Sequence, residues 1–232
     1  MKKFFKNLII CFFILVIFAA AVFFIGWTQV RIKPDCVGIV KSKTGGISKD
    51  IVYPGKFSWH WEFLLPTNAK FTSFELNPYA VSKSVSGKLS SGEVYAEILN
   101  DNVDFSYNFD FDFSVNISAE NIVSLFERLV ISEQDGLERF IEQECDSAAK
   151  MLSSEIIKKL SKDSLYNPDI LTYEDLKSMV DFNKKFPELQ FNSIVIKNCK
   201  YPDYALYEKS RSVYLSNLAN VGKLPVENAQ KK

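Results

Sequence analysis

The chain has 232 residues, and its 28 Lys and Arg side chains equal its 28 Asp and Glu side chains in number. This balance lacks the basic surface that nucleic-acid binding requires, so we expect no nucleic-acid partner. One histidine and four widely spaced cysteines match no zinc motif, no His-rich metal site and no disulfide framework. We therefore expect no metal and no cofactor.

An uncharged segment near the N-terminus predicts a membrane anchor within residues 1–30. Residues Leu8–Trp27 are twenty in number and carry no charge. A helix of that length rises about 30 Å, the thickness of a bilayer's hydrocarbon core. A buried core helix would normally have one polar face, and this segment has none. The residues that mark the anchor are Leu8, Phe12, Leu15, Phe18, Phe23 and Trp27.

A cleaved signal peptide is the alternative interpretation of this segment. The small residues Ala19–Ala21 resemble a cleavage site, but four further apolar residues follow them, which favours a permanent anchor. Three lysines precede the segment, whereas Arg31 and Lys33 follow it. Because basic residues favour the cytoplasmic side, this small excess predicts a single-pass protein with a cytoplasmic N-terminus. The bulk of the chain is then extracytoplasmic, or periplasmic in a bacterium.

Residues 31–102 predict a β-rich subdomain. Cys36–Lys41 alternates apolar and other residues, and Tyr53–Gly55 contains a Pro-Gly turn signal. Lys56–Phe63 also alternates and predicts a strand with its aromatic rings on one side. His60 lies on the other side, so we expect a half-exposed strand residue and not a metal ligand or a catalytic base.

Residues 103–200 predict a second subdomain, of the order strand, helix, helix, strand. In Phe105–Ile117 seven apolar positions alternate with six small polar ones, which a strand with one buried face requires. Glu93–Leu99 is its expected antiparallel neighbour. Ala119–Leu129 and Ser132–Leu160 have helical apolar spacing.

The C-terminal part predicts a short helix, a strand and a last helix. Thr172 opens a helix that continues to about Lys185, because Asp175 completes a capping box, and Phe191–Lys197 predicts a strand. The last helix occupies 201–221, where Asn220, Gly222 and Pro225 are expected to end it. Residues 222–232 are expected to be disordered. The overall prediction is an α+β fold behind a transmembrane helix, without a long C-terminal coiled coil.

Four stretches carry motifs in a distinctive order: Pro34–Val40, Gly45–Pro66, Phe105–Leu129 and Phe191–Tyr207. They contain a Pro-x-x-x-Gly opening strand, a Pro-Gly turn with an aromatic block, a Leu-Tyr-x-x-Leu-like helix, and a Tyr-Pro-Asp helix start. This order resembles the SPFH superfamily, also called band 7, to which stomatins, prohibitins and flotillins belong. The motif positions are Pro34, Gly38, Pro54, Gly55, Pro66, Leu125, Leu129, Tyr201, Pro202 and Asp203.

The resemblance implies a membrane scaffold, with no catalytic residue. Such proteins assemble with themselves or with SPFH paralogues at the bilayer, organise lipid microdomains and membrane proteins, and in bacteria often restrain a membrane protease. The predicted helix end near Asn220 departs from the family pattern, in which a long helical arm follows. The alternative is a bitopic docking subunit of another membrane or envelope complex. A membrane-tethered enzyme that depends on His60 is the third hypothesis.

Several aromatic side chains of the β-rich half have two interpretations. Phe71, Phe74, Tyr79 and the aromatic residues beside Pro54 and Gly55 are assigned to ordinary core and turn packing. Contact with the surface of the outer leaflet is the alternative. Cys36, Cys145 and Cys199 are expected to be small buried hydrophobic residues, and a Cys36–Cys199 bridge stays open for an oxidising compartment.

Overall fold

The structure, a computed structural model, describes residues Lys2–Leu99, Val103–Asp163 and Leu165–Gln230. The side chains of Lys2, Val30, Ile98 and residues 221–230 are not described. The fold is α+β, with an N-terminal apolar helix and two three-stranded antiparallel sheets, which confirms the α+β part of the prediction.

The chain forms two compact units. The first comprises Met1–Pro78 and Asn116–Ile141, and the second comprises Tyr79–Val115 and Glu142–Lys232. These units group the chain differently from the predicted segments 31–102 and 103–200. The difference arises because the strand that begins at Tyr79 pairs within the second sheet.

Helix α1 (Lys2–Gly26) contains most of the predicted anchor. Its apolar side chains are exposed on all sides, with Leu8 at 55%, Phe12 at 63% and Phe18 at 68% exposure. By length and composition α1 can cross a membrane. Trp27 follows its last residue and is half-buried.

The first sheet has the strand order β2-β1-β3. Its strands are β1 (Cys36–Ser42), β2 (Gly46–Ile47) and β3 (Ala69–Glu75). Strand β1 is buried along most of its length, as a central strand must be. A Cβ atom on Gly38 would overlap the ring of Phe71, so glycine allows this ring to pack closely against β1.

Helix α3 (Ala119–Glu127) packs in the same unit as this sheet. The Ser118 side chain accepts a hydrogen bond from the Asn121 backbone N–H at 3.2 Å and so caps its start. The ring of Phe126 meets the ring of Phe74 edge-on at 5.9 Å between centroids. Phe74 is fully buried, which confirms its assignment to the core.

The prediction that Leu129 continues the buried stripe of this helix is wrong. Leu125 is 1% exposed, but Leu129 is 74% exposed and has a φ of 59°. The helix ends at Glu127, and a positive φ after its end turns the Leu129 side chain away from the helical stripe.

The second sheet has the strand order β4-β5-β6. Strands β4 (Tyr79–Lys88) and β5 (Ser106–Ile117) are antiparallel, with Tyr79 opposite Val115. Strand β5 buries every second side chain, which confirms the predicted alternating strand. Strand β6 (Leu189–Lys200) confirms the predicted late strand.

The predicted pairing of Glu93–Leu99 with this strand is wrong. Those residues lie in and after helix α2 (Gly92–Ile98), and β4 occupies the place beside β5. The side chains of β4 alternate between half-buried and exposed, and none is fully buried. An edge strand of this kind has a weak hydrophobic period, so its sequence signal is weak.

Three further helices follow β5 and α3 along the chain. Helix α4 (Gln134–Lys162) confirms the predicted long helix, and its stripe includes the fully buried Leu152 and Ile156. Helix α5 (Tyr173–Met179) begins with the predicted Thr172 capping box. The prediction of one helix to Lys185 is wrong, because Val180 is extended and a separate helix α6 (Phe182–Lys185) follows, capped by Asp181.

Helix α7 (Tyr204–Gln230) is longer than the sequence predicts. Asp203 accepts a hydrogen bond from the Leu206 N–H at 3.0 Å and caps its start. The predicted end near Asn220 and the disordered tail are wrong for residues up to Gln230, because the helix continues through Gly222 and Pro225. Pro225 has no backbone N–H, so the helix continues past it with one hydrogen bond fewer.

The cysteines are free, so the Cys36–Cys199 bridge is not formed. Cys36 and Cys145 are buried, as predicted. Cys199 is half-buried, and its thiol donates to Asp169 Oδ1 at 2.8 Å. Burial and the nearby Asp169 carboxylate raise the pKa of Cys199 to about 12, so its thiol stays protonated at neutral pH.

We predict that Phe111→Ala strongly destabilises the second unit. Phe111 has no exposed surface, and its ring lies 6.3 Å from that of Phe109 and 5.9 Å from that of Phe113. Loss of this ring should lower the free energy of unfolding by about 3–5 kcal/mol in denaturant titrations. Val195→Ala is the control, because Val195 is 53% exposed on the same sheet and should change it by about 0.5 kcal/mol or less. Equal losses in the two variants would contradict this packing.

We also predict an acid-sensitive ion pair on the second sheet. Hydrogen bonds from Lys200, at 2.5 Å, and from Ser106 lower the pKa of Asp104 from 3.8 to about 2. Because the folded pKa lies below the unfolded one, the pair contributes stability above the unfolded value, and this contribution is lost as the pH falls toward 2. A carbon-13 NMR titration should find the Asp104 pKa raised in Lys200→Met and unchanged in the control Lys162→Met. An unchanged pKa in Lys200→Met would contradict the pair.

Candidate functional site

The loop that follows β2 packs against the last turn of α1. We call residues Tyr53–Leu65 the aromatic loop. The Trp59 indole N–H donates to the Phe23 carbonyl at 3.1 Å, and the His60 backbone N–H donates to the Gly26 carbonyl at 2.8 Å. The last carbonyls of a helix have no partner inside it, so the aromatic loop supplies donors that α1 itself cannot supply.

A third donor comes from the segment just after the helix. The Arg31 guanidinium donates to the Ile25 carbonyl at 3.0 Å and lies 4.5 Å above the ring of Phe63. A cation at this position also interacts favourably with the negative end of the helix dipole. The carbonyls of Phe23, Ile25 and Gly26 are thus satisfied by side chains or backbone from outside α1.

The contact requires glycine at position 26. A Cβ atom on Gly26 would overlap the indole of Trp59. Trp27 and Trp59 form an isolated antiparallel bridge directly beside it. The ring of Phe57 stacks on that of Phe23 with centroids 6.0 Å apart and planes inclined by 17°. Aromatic contacts therefore join the loop to the end of the apolar helix.

The prediction that Lys56–Phe63 is a strand is wrong. This segment is a loop with one bridge at Trp59, and Trp61–Leu64 forms a 3-10 turn. The predicted burial is reversed, because Phe57 is 58% and Trp61 49% exposed, whereas His60 is 7% exposed. The rings gather at the end of α1 and not against a core of the sheet, so alternation alone gave the wrong side.

A chain of polar side chains lies behind the exposed rings. Thr28 Oγ1 donates to the Ser58 backbone carbonyl at 3.1 Å and to Ser58 Oγ at 3.2 Å, and Ser58 Oγ lies 3.1 Å from His60 Nε2. His60 Nδ1 lies 3.7 Å from Glu62 Oε2, which is too long for a hydrogen bond. Within the described residues, this buried Glu62 oxygen has no hydrogen-bond partner.

Ser58, His60 and Glu62 border an open cleft of about 600 Å³. The cleft is lined by segment 48–62, including two lysines, two acidic residues and several aromatic rings. The charged residues and tryptophans among the lining residues are Lys49, Asp50, Lys56, Trp59, Trp61 and Glu62. Tyr53 also lines it, and the pKa of its phenol is raised by burial and by the Glu120 carboxylate.

The predicted motif positions have different structural roles. Pro54 and Gly55 lie in the aromatic loop, where Gly55 has a φ of 77°, a conformation that glycine adopts easily. Pro34 and Pro66 are exposed, on the chain before β1 and just after the loop. Tyr201, Pro202 and Asp203 precede α7, where Tyr201 Oη hydrogen-bonds Asn167 at 3.3 Å and Pro202 is buried. The site therefore contains only some of these positions.

Sequence reasoning missed the residues that join this site together. Gly26 lies near the end of the apolar segment and Thr28 follows it, and Ser58 and Glu62 are ordinary polar loop residues in the sequence. The one available signal was the glycine that interrupts the apolar run at its end. Among the described residues, no group of three or more His, Cys, Asp and Glu side chains is placed to hold a metal ion.

No family model matches the sequence. An uncharacterized protein of Treponema pallidum (strain Nichols) is 27% identical to it over 194 residues. The alignment covers 82% of this chain and 65% of the relative, so the chain spans less than two thirds of the length of the relative it matches. This similarity identifies a relative and carries no functional information.

We predict that Gly26→Ala loosens the aromatic loop. Helix propensity alone would favour alanine by about 1 kcal/mol. The overlap with Trp59 should instead destabilise the first unit by about 1–3 kcal/mol. All three tryptophans of the chain, Trp27, Trp59 and Trp61, lie at this site, so intrinsic fluorescence reports on it directly.

The measurement is quenching of this fluorescence by brominated lipids in nanodiscs that hold the full chain. Gly26→Ala should change the emission maximum and the extent of quenching. Gly136→Ala is the control, because a Cβ atom there would make only ordinary contacts at 3.7 Å or more. Identical spectra for wild type and Gly26→Ala would contradict the tight contact.

Proposed function

We propose that this protein is a single-pass, membrane-anchored scaffold of the SPFH, or band 7, type. In this proposal α1 spans the bilayer with its N-terminus in the cytoplasm, and the folded part lies on the extracytoplasmic side. The protein assembles with copies of itself or with paralogues and organises or regulates neighbouring membrane proteins, such as a membrane protease, or lipid microdomains. No catalytic role is part of the proposal.

The observation that carries the proposal is the capped end of α1. Unpaired carbonyls are costly near hydrocarbon, and the Phe23, Ile25 and Gly26 carbonyls are paired by Trp59, Arg31 and His60. The exposed rings of the aromatic loop surround this end, and aromatic side chains are typical of the lipid headgroup level. Such an arrangement supports a domain that is held close to the membrane surface.

The order of the elements gives further support. A β-rich first sheet, a long alternating strand, two helices, a late strand and a long helix follow the apolar segment in the family-like order. Helix α7 extends to Gln230, which removes the departure from the family pattern that the predicted early helix end implies. A helix of 27 residues is about 40 Å long, enough to act as an arm between subunits.

Electron microscopy and mass photometry of the detergent-extracted full chain test this proposal. We expect rings or domes of many copies, because a scaffold acts through assembly. Uniformly monomeric particles would overturn the proposal. Co-purification with an unrelated membrane protein at fixed stoichiometry would instead favour the docking subunit. A topology reporter after Lys232 tests the orientation, and a cytoplasmic signal would contradict the proposed side.

A further inference from the structure

We propose that the cleft beside the aromatic loop is a binding site for a phospholipid headgroup that carries both a phosphate and a primary ammonium, as phosphatidylethanolamine does. The proposal rests on the proposed membrane-spanning role of α1. It does not depend on the assembly of subunits. The site would hold one lipid of the outer leaflet against the end of the anchor.

Glu62 supplies the group that selects the ammonium. Its Oε2 atom is buried 3.7 Å from His60 Nδ1, whereas the carboxylate as a whole lines the cleft and 18% of the side-chain surface is exposed. His60 is held by Ser58 through its other ring nitrogen, at 3.1 Å. The exposed part of this carboxylate can accept a charge-assisted hydrogen bond from an ammonium N–H in the cleft.

The charges that line the cleft match a zwitterionic headgroup. Lys49 and Lys56 line it together with Asp50 and Glu62, so two positive charges accompany two negative ones. A phosphate is attracted to the lysines, and an ammonium is attracted to the carboxylates. A purely anionic headgroup would have no partner for the two carboxylates. The charge set therefore favours a lipid that carries both signs.

Aromatic side chains complete the lining. Trp59 and Trp61 both border the cleft, and they are 38% and 49% exposed. Indole faces attract ammonium groups and also tolerate the acyl–headgroup boundary. Cation–π attraction alone does not separate a primary from a quaternary ammonium. The hydrogen bond to Glu62 does, because a quaternary ammonium has no N–H to donate.

The position of the cleft fits a lipid and not a solute. Trp59, which lines the cleft, donates to the carbonyl of Phe23 in the last turn of α1. When α1 spans the bilayer, this turn lies where the hydrocarbon ends and the headgroups begin. The cleft volume of about 600 Å³ lies within the usual range of small-molecule sites.

The test is native mass spectrometry of the full chain, after equilibration in nanodiscs with equal amounts of phosphatidylethanolamine, phosphatidylcholine and phosphatidylglycerol. We expect the wild type to retain phosphatidylethanolamine over the other two by about tenfold, the effect of one charge-assisted hydrogen bond. Glu62→Gln keeps the shape and removes the charge, and it should strongly reduce the preference over phosphatidylcholine, because the remaining amide oxygen is an uncharged and weaker acceptor. Glu127→Gln, an exposed residue outside the cleft, is the matched control and should keep the preference.

A second variant separates the phosphate from the ammonium. Lys56→Gln should lower the retention of phosphatidylethanolamine and phosphatidylcholine equally, because both carry the phosphate. It should leave their ratio unchanged. Intrinsic fluorescence of each variant checks that the aromatic loop is still in place. The assigned roles would be overturned if Lys56→Gln lost the preference for phosphatidylethanolamine over phosphatidylcholine while Glu62→Gln kept it.

Other outcomes overturn the proposal. Equal retention of all three lipids by the wild type, or a preference for phosphatidylglycerol, rules out the zwitterionic site. Saturable binding of soluble glycerophosphoethanolamine, without retained lipid, identifies a soluble ligand and overturns the lipid source. Particle size is measured in the same samples, so the two proposals fail separately. Monomeric particles that keep the lipid preference contradict the scaffold, and large particles without it contradict the headgroup site.

Discussion

The pairing of the last carbonyls of α1 is the constraint on which the first unit depends. A helix cannot satisfy these acceptors itself, and near hydrocarbon an unpaired carbonyl is costly. Trp59 and His60 supply two of the donors, and each lies more than thirty residues after the carbonyl that it pairs. Arg31 supplies a third donor. The aromatic loop is therefore a structural cap for α1, and in the proposed topology it is also the part of the folded chain that meets the headgroup level.

The same contact decides which side chains of the aromatic loop are buried and which are exposed. Gly26 permits the close approach of Trp59, and the loop then turns so that His60 is buried and Phe57 and Trp61 are exposed. The inward side chains build a polar chain that ends at Glu62, next to an open cleft. In the proposed topology, a loop that combines exposed aromatic rings with a charged cleft suits the lipid headgroup level, which is apolar on one side and ionic on the other.

The elements whose hydrophobic residues repeat with a clear period were predictable from the sequence. Strand β5 and helix α4 follow their hydrophobic patterns, and the Thr172 capping box begins α5 where the sequence indicates. Strand β4 was missed as the partner of β5, because an edge strand with small polar side chains has little period to detect. Helix α7 passes through Gly222 and Pro225 although the proline removes one backbone hydrogen bond, so the breaker residues predicted its end too early.

By itself, the sequence determined the apolar N-terminal helix, the α+β class and the strand–helix order, because hydrophobic period and segment length act locally along the chain. The tertiary structure decided which side of Lys56–Phe63 is buried, why Gly26 must be glycine, and which residues meet at the cleft. These depend on contacts between α1 and a loop about thirty residues away. No period in either segment encodes such contacts, so the candidate site became visible only when the two segments were placed together.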